Sequence, residues 1–116
     1  MTVHYNLGKE YTDYLGGRLV KDGAYSGEAF RETVLLKLWE ANQDAEFFFD
    51  LDALGGYTSS FFDESFCELV RRYGERAAKR LHFTSTRRPY LVEQIKQWMQ
   101  EALTQYQASP PRSLKR

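Results

Sequence analysis

Apolar and polar positions alternate over residues 3–7, Val-His-Tyr-Asn-Leu, which predicts a short first strand. Residues 8–17 are polar and close on Gly16-Gly17, a turn signal. Residues 18–22 read as a second strand, and Gly23 and Gly27 bracket the loop that follows. From 28 to 42, Phe30, Val34, Leu35, Leu38 and Ala41 recur at helical spacing. Glu28, Arg31, Glu32, Lys37 and Glu40 occupy the other faces of that helix, and Ser26 is its predicted N-cap. Residues 46–52, Glu-Phe-Phe-Phe-Asp-Leu-Asp, are nearly continuously apolar, as expected of a central strand covered on both faces. After Gly55-Gly56, a helix over 60–73 places Phe62, Phe66, Leu69, Val70 and Tyr73 on one stripe. Thr58, Ser59 and Ser60 are its candidate caps, and Ser60 with Asp63 resembles a capping box. Gly74 can stop this helix, and residues 75–79 can add a further turn. Residues 80–84 predict another strand. A last helix follows Ser85 or Thr86, with Pro89 in its first turn and Leu91, Ile95, Trp98, Met99, Ala102 and Tyr106 on its apolar face.

This alternation predicts an α/β domain with parallel crossover units. The expected architecture is a mixed sheet of about four strands, its two N-terminal strands forming an edge hairpin, covered by three main helices. The domain is expected to span 1–108. Residues 109–116 follow Ser109-Pro110-Pro111 and include Arg112, Lys115 and Arg116, and they are expected to form a disordered basic tail.

At 116 residues, 42% apolar and 28% charged, the chain has the composition of one globular domain. Cys67 is the only cysteine, so neither an intrachain disulfide nor a thiolate zinc cluster can form. No stretch reaches the about 18–20 apolar residues of a membrane helix, and the N-terminal residues do not resemble a signal peptide. The expectation is a cytoplasmic protein that does not engage a membrane. The net charge of zero hides an asymmetry. Residues 1–70 hold five basic and thirteen acidic side chains, and residues 71–116 hold eleven basic and three acidic. Such a chain can present one acidic and one basic surface, unless folding mixes the halves.

In open α/β sheets, ligands gather at the carboxyl ends of strands, here the segment from Asp50 to Glu64. It combines a strand end, a glycine pair, three hydroxyls and a helix start. Local physics assigns the hydroxyls to capping first. The segment also resembles the centre of the STAS domain of sulphate transporter tails and anti-sigma factor antagonists. Phe47-Phe48-Phe49-Asp50-Leu51 matches the apolar strand of that pattern, and Thr58-Ser59-Ser60 stands where Asp-Ser-Ser would open the helix. The run Ser59-Ser60-Phe61-Phe62-Asp63-Glu64 is similar to the prokaryotic STAS-like family of unknown function, and the similarity extends over roughly 18–100.

The resemblance implies a non-enzymatic regulatory module without a cofactor. It implies a protein partner, a kinase of the histidine-kinase ATPase type, that phosphorylates a serine at the helix start. The accepting position falls on Ser60, with Ser59 as its neighbour. Gly56, Tyr57, Thr58, Phe61, Asp63 and Glu64 are the expected partner contacts. Two departures stand out: Thr58 replaces an acidic residue and Phe61 replaces glycine.

Two other function classes are open. Arg71, Arg72, Arg76, Lys79, Arg80, Arg87 and Arg88 fall within 71–88, with Tyr73 and Tyr90 nearby. Such a patch can serve a nucleic acid, although docking of an acidic protein is preferred. Asp50, Asp52, Asp63 and Glu64 could instead hold magnesium in a hydrolase, although no catalytic set completes them. His4 and His82 read as strand residues, Cys67 as a buried inert thiol, and Trp39 and Trp98 as core or interface. Tyr11, Tyr14, Tyr25 and Tyr57 hint at an interface, and an edge strand leaves room for a homodimer.

Overall fold

The computed structural model describes residues 1–108. Three strands, β1 (Thr2–Asn6), β2 (Glu46–Asp50) and β3 (Leu81–Thr84), form one sheet in the order β1-β2-β3. Both pairings are parallel, with Tyr5 and Phe83 flanking Phe49. Five helices accompany them among the described residues. They are α1 (Leu7–Glu10), α2 (27–41), α3 (59–73), α4 (Glu75–Arg80) and α5 (Pro89–Ala108). The chain crosses from β1 to β2 through α2, and from β2 to β3 through α3 and α4. The predicted basic tail at 109–116 lies outside the described residues.

The sheet has three parallel strands and not four mixed ones, because 18–22 is not a strand. Arg18 O accepts from Glu28 N at 3.0 Å, and the preceding Gly17 O from Gly27 N at 2.8 Å, both at the start of α2. Val20–Asp22 is instead a 3₁₀ turn, closed by Asp22 Oδ2 accepting from Leu19 N. With these carbonyls bonded to α2, no ladder to β1 forms.

The central strand is also covered on one face only. Phe47 and Phe49 are buried while Glu46, Phe48 and Asp50 are not, and β3 alternates in step with Leu81 and Phe83 inward. On the wet face, the rings of His4, Phe48 and His82 stack in a row, with centroids 5.2 and 4.8 Å apart. His82 Nε2 lies 2.6 Å from Glu46 Oε1 at the end of this row. The apolar run 46–52 therefore reflects an aromatic ladder on the open face as well as a core strand.

On the covered face, Phe66 of α3 is the hub. It meets Phe49 and Phe83 at 4.8 Å, Phe30 at 5.5 Å and Phe62 at 6.2 Å. Interlocking aromatic pairs of this kind contribute about 0.5–1.5 kcal/mol each beyond their buried area.

Both crossover helices contain one π turn, at Arg31–Leu35 in α2 and Asp63–Cys67 in α3. A π turn adds a residue to one helical turn and so brings neighbours onto the same face. Phe30 and Arg31 are both buried, and so are Ser65, Phe66 and Cys67 in succession. Arg31, placed by periodicity on the polar side of its helix, thus points inward. Ser26 caps α2 as predicted, accepting from Ala29 N at 3.0 Å. Among the described residues, no helix is long and apolar enough to cross a membrane.

Candidate functional site

Beyond β2, the loop 51–58 is held from two sides. On one side, Leu51 N donates to Thr84 O, and Asp52 gathers the segment after β3. The Asp52 carboxylate accepts from the backbone N–H of Thr86 and Arg87 and from the hydroxyls of Ser85 and Thr86, all at 2.8–3.1 Å. These bonds, the Arg87 and Thr86 amides first, hold its pKa well below the usual carboxylate range. In return, Arg87 donates to Asp52 O at 2.7 Å and Arg88 to Leu54 O at 3.0 Å. On the other side, Asp13 O accepts from Gly55 N and Gly56 N, and Leu15 N donates to Gly56 O. The Tyr14 ring lies against Gly56 so closely that a Cβ there would come within 2.7 Å of it.

The loop delivers Thr58 to the start of α3. Its hydroxyl accepts from Phe61 N at 3.1 Å and donates to Gly16 O at 2.7 Å. Thr58 is therefore the cap, and the predicted Ser60–Asp63 capping box does not form. Ser59 and Ser60 are the first two residues of the helix. Among the described residues, neither hydroxyl makes a side-chain hydrogen bond; Ser59 is exposed and Ser60 half-buried.

Ser59 opens onto a cleft of about 230 Å³, shared with Arg18, Asp63, Arg71, Trp98, Glu101 and Gln105. Arg18 and Arg71 approach Asp63 from two sides. Arg18 Nη1 lies 2.5 Å from its Oδ2, and Arg71 Nη2 bonds its Oδ1. Burial works to raise the Asp63 pKa, but the bonds from Arg18 and Arg71 outweigh it and hold the carboxyl below its ordinary value. Glu64 lies between two arginines, with Arg18 Nη1 3.4 Å from its Oε1. Arg31 donates to its carboxylate at 2.8 Å and to its carbonyl at 2.5 Å, joining α2 to α3.

The predicted contact residues are thus divided by the fold. Thr58 and Ser59 are exposed, and Gly56, Tyr57, Ser60, Asp63 and Glu64 are half-buried. Phe61 is fully buried against Phe30 and Tyr11, so it is not available as a contact. Arg18 and Arg31, which sequence reasoning passed over, complete the charge network around the helix start. A lone arginine directly after a glycine pair was the one local signal for Arg18.

The four carboxylates do not form a metal centre. Asp50 accepts from Asp52 N at 2.8 Å, Asp52 is taken up by 85–87, Asp63 by Arg18 and Arg71, and Glu64 by Arg31. Among the described residues, no three metal-ligating side chains come together. The basic stretch is dispersed in the same way. Arg71 and Arg72 pair with Glu68, and Lys79 pairs with Glu75. Arg80 donates to the carbonyls of Ala45 and Asn42 while covering the Trp39 ring at 4.2 Å. Arg76 lies over Trp39 and Tyr73, and Arg87 and Arg88 tether the loop. Cys67 is buried, and burial pushes its thiol up to about 12.

A family model described as a STAS-like domain of unknown function matches residues 26–91, from the cap of α2 into the first turn of α5. No curated protein and no solved structure matches the chain. The match takes in β2, the loop, all of α3 and β3, which is more than half of the sequence. The chain belongs to this STAS-like family.

Proposed function

We propose that this chain is a non-enzymatic protein-interaction module whose contact surface is the loop 55–58 with the first turn of α3, and that phosphorylation of a serine there switches it. One observation carries the reading. Capping is the usual use of a hydroxyl at a helix start, and Thr58 alone performs it. Ser59 and Ser60 are left over, on a rigidly held turn, with no bond from either side chain to account for them among the described residues. A phosphate would add about −1.5 to −2 charges at the tip of the loop, enough to reject a surface that fits the unmodified form. The resemblance to anti-sigma factor antagonists supports a kinase of the histidine-kinase ATPase type as the partner. The dispersal of the basic residues favours this reading over a nucleic-acid surface, since six of the seven are held by carboxylates or carbonyls.

Capture from the native host lysate, with mass spectrometry of the bait, tests the reading. Recovery of an ATPase of that type, with phosphate on residue 59 or 60, is expected. A double variant, Ser59→Ala with Ser60→Ala, should then remain unmodified and stay bound. Phosphate found elsewhere, or nowhere, on a bait that has met the ATPase and ATP would reject the switch.

A further inference from the structure

We propose that Ser59 and not Ser60 accepts the phosphoryl group, and that Arg18 and Arg71 then bind it within the cleft beside the start of α3. The inference rests on the phosphorylation reading above and adds to it the acceptor and the groups that hold the product.

Three observations converge. Ser59 lines the cleft with Arg18, Asp63 and Arg71, whereas Ser60, turned about 100° further round the helix, does not. The cleft also brings two guanidinium groups together: Arg18 and Arg71 share Asp63, while Arg18 also approaches Glu64 at 3.4 Å, Arg71 also bonds Glu68 at 3.1 Å and Glu101 lines the cleft, so a phosphate there competes with carboxylates for the two arginines. Asp63 stands four residues after Ser59, one turn down the same face of the helix, so a phosphate on Ser59 projects toward the same two guanidinium groups. A phosphate dianion carries more charge and more acceptor oxygens than a carboxylate, and arginine forks match it. The first turn of a fifteen-residue helix adds its amide donors to the same side.

Arg18 is well placed for this role because its backbone is fixed. Its carbonyl accepts from Glu28 N, and the neighbouring carbonyls of Gly16 and Gly17 accept from Thr58 Oγ1 and Gly27 N. The segment 16–18 thus lies between the starts of α2 and α3 with its side chain directed at the cleft. In the transfer step, Ser59 Oγ attacks the γ-phosphorus of a nucleoside triphosphate held by a partner kinase. The bond from that phosphorus to its bridging oxygen breaks, the nucleoside diphosphate leaves, and the hydroxyl proton passes to a base of the kinase. Arg18 and Arg71 then exchange part of their hold on Asp63 for the phosphate, so the modified serine is drawn against its own domain.

The test is to place phosphoserine at residue 59 or at residue 60 of the full chain by direct incorporation, and to follow its second ionisation by phosphorus NMR. Phosphoserine 59 should ionise about one pH unit or more below the ~6 of an unbound phosphoserine, a preference of about tenfold for the dianion. Arg18→Gln, at a half-exposed side chain, should return it to about 6, and phosphoserine 60 should titrate near that value throughout. A normal titration for phosphoserine 59, or one insensitive to both Arg18→Gln and Arg71→Gln, overturns the clamp. If Arg71→Gln unfolds the chain, Arg18→Gln alone decides. Partner capture separates the two claims. Release by phosphoserine 60 but not 59 overturns this inference and keeps the switch. A shifted titration at 59 with unchanged capture supports the clamp and rejects the switch.

Discussion

Asp52 accepts hydrogen bonds from both the backbone N–H and the hydroxyl of Thr86, 34 residues further along the chain. These contacts keep the carboxyl ionised to unusually low pH. Because the folded pKa is depressed, the stability it contributes is present above the unfolded value of about 3.9 and is lost as pH falls below it. Thermal unfolding followed from pH 7 to pH 2 should show the midpoint dropping once pH passes below about 4. Asp52→Asn should start lower at pH 7 and lose less over the acid range. An equal acid slope in both proteins would show that other carboxylates set it.

The two assignments at the start of α3 separate cleanly in mutants. Thr58→Ala removes the cap and the bond to Gly16 O, so urea unfolding should report a loss of about 1 kcal/mol. Ser60→Ala touches neither and should stay within about 0.5 kcal/mol of the parent. A larger loss for Ser60→Ala than for Thr58→Ala would reverse the capping assignment.

Arg31 is 6% exposed and joins α2 to α3 through Glu64. Arg31→Ala removes the closer of the two arginines that meet Glu64, leaving Arg18 at 3.4 Å, and should cost about 1–3 kcal/mol. Adding Glu64→Ala should recover part of that loss, since the under-paired charge goes with it. A double-mutant cycle by chemical denaturation measures the coupling; additive losses would mean that the pair is not coupled.

Cys67 should be silent in the folded protein. Its thiol, pushed up to about 12 by burial, holds almost no thiolate at pH 8. A thiol reagent should modify it at the rate of unfolding, and at once in concentrated guanidinium. Fast labelling of the folded chain at pH 8 would contradict the burial.

The elements with strong local periodicity were legible in the sequence: β1, β2, β3, α2, α3 and α5 all lie within a few residues of their expected bounds. What failed did so for non-local reasons. Residues 18–22 have strand composition, but Arg18 O is claimed by Glu28 N and the carbonyls of Leu19 and Val20 close a local turn. Three hydroxyls in a row, 58–60, are equivalent caps by local rules, and the choice of Thr58 is reinforced by Gly16 O, 42 residues away. The π turn in α2 hid the burial of Arg31 from a reading at 3.6 residues per turn, whereas Cys67 is buried as expected. The Ser59–Ser60 segment was found because its pattern is contiguous. Arg18 was not, because the ion pair that brings it there spans 45 residues.

The sheet contains no pair of strands that are close in sequence: Thr2 stands opposite Glu46, and Phe47 opposite Leu81. No hairpin can therefore nucleate it, and each pairing waits for a whole crossover to close. During synthesis, β2 gains its second neighbour only when Thr84 has left the ribosome, and the loop before α3 gains its Asp52 anchor only with residues 85–87. A nascent chain that ends at residue 80 holds every residue of the segment from Asp50 to Glu64 but lacks β3 and the groups that Asp52 gathers, so this loop is held from both sides only once residues 81–88 have emerged.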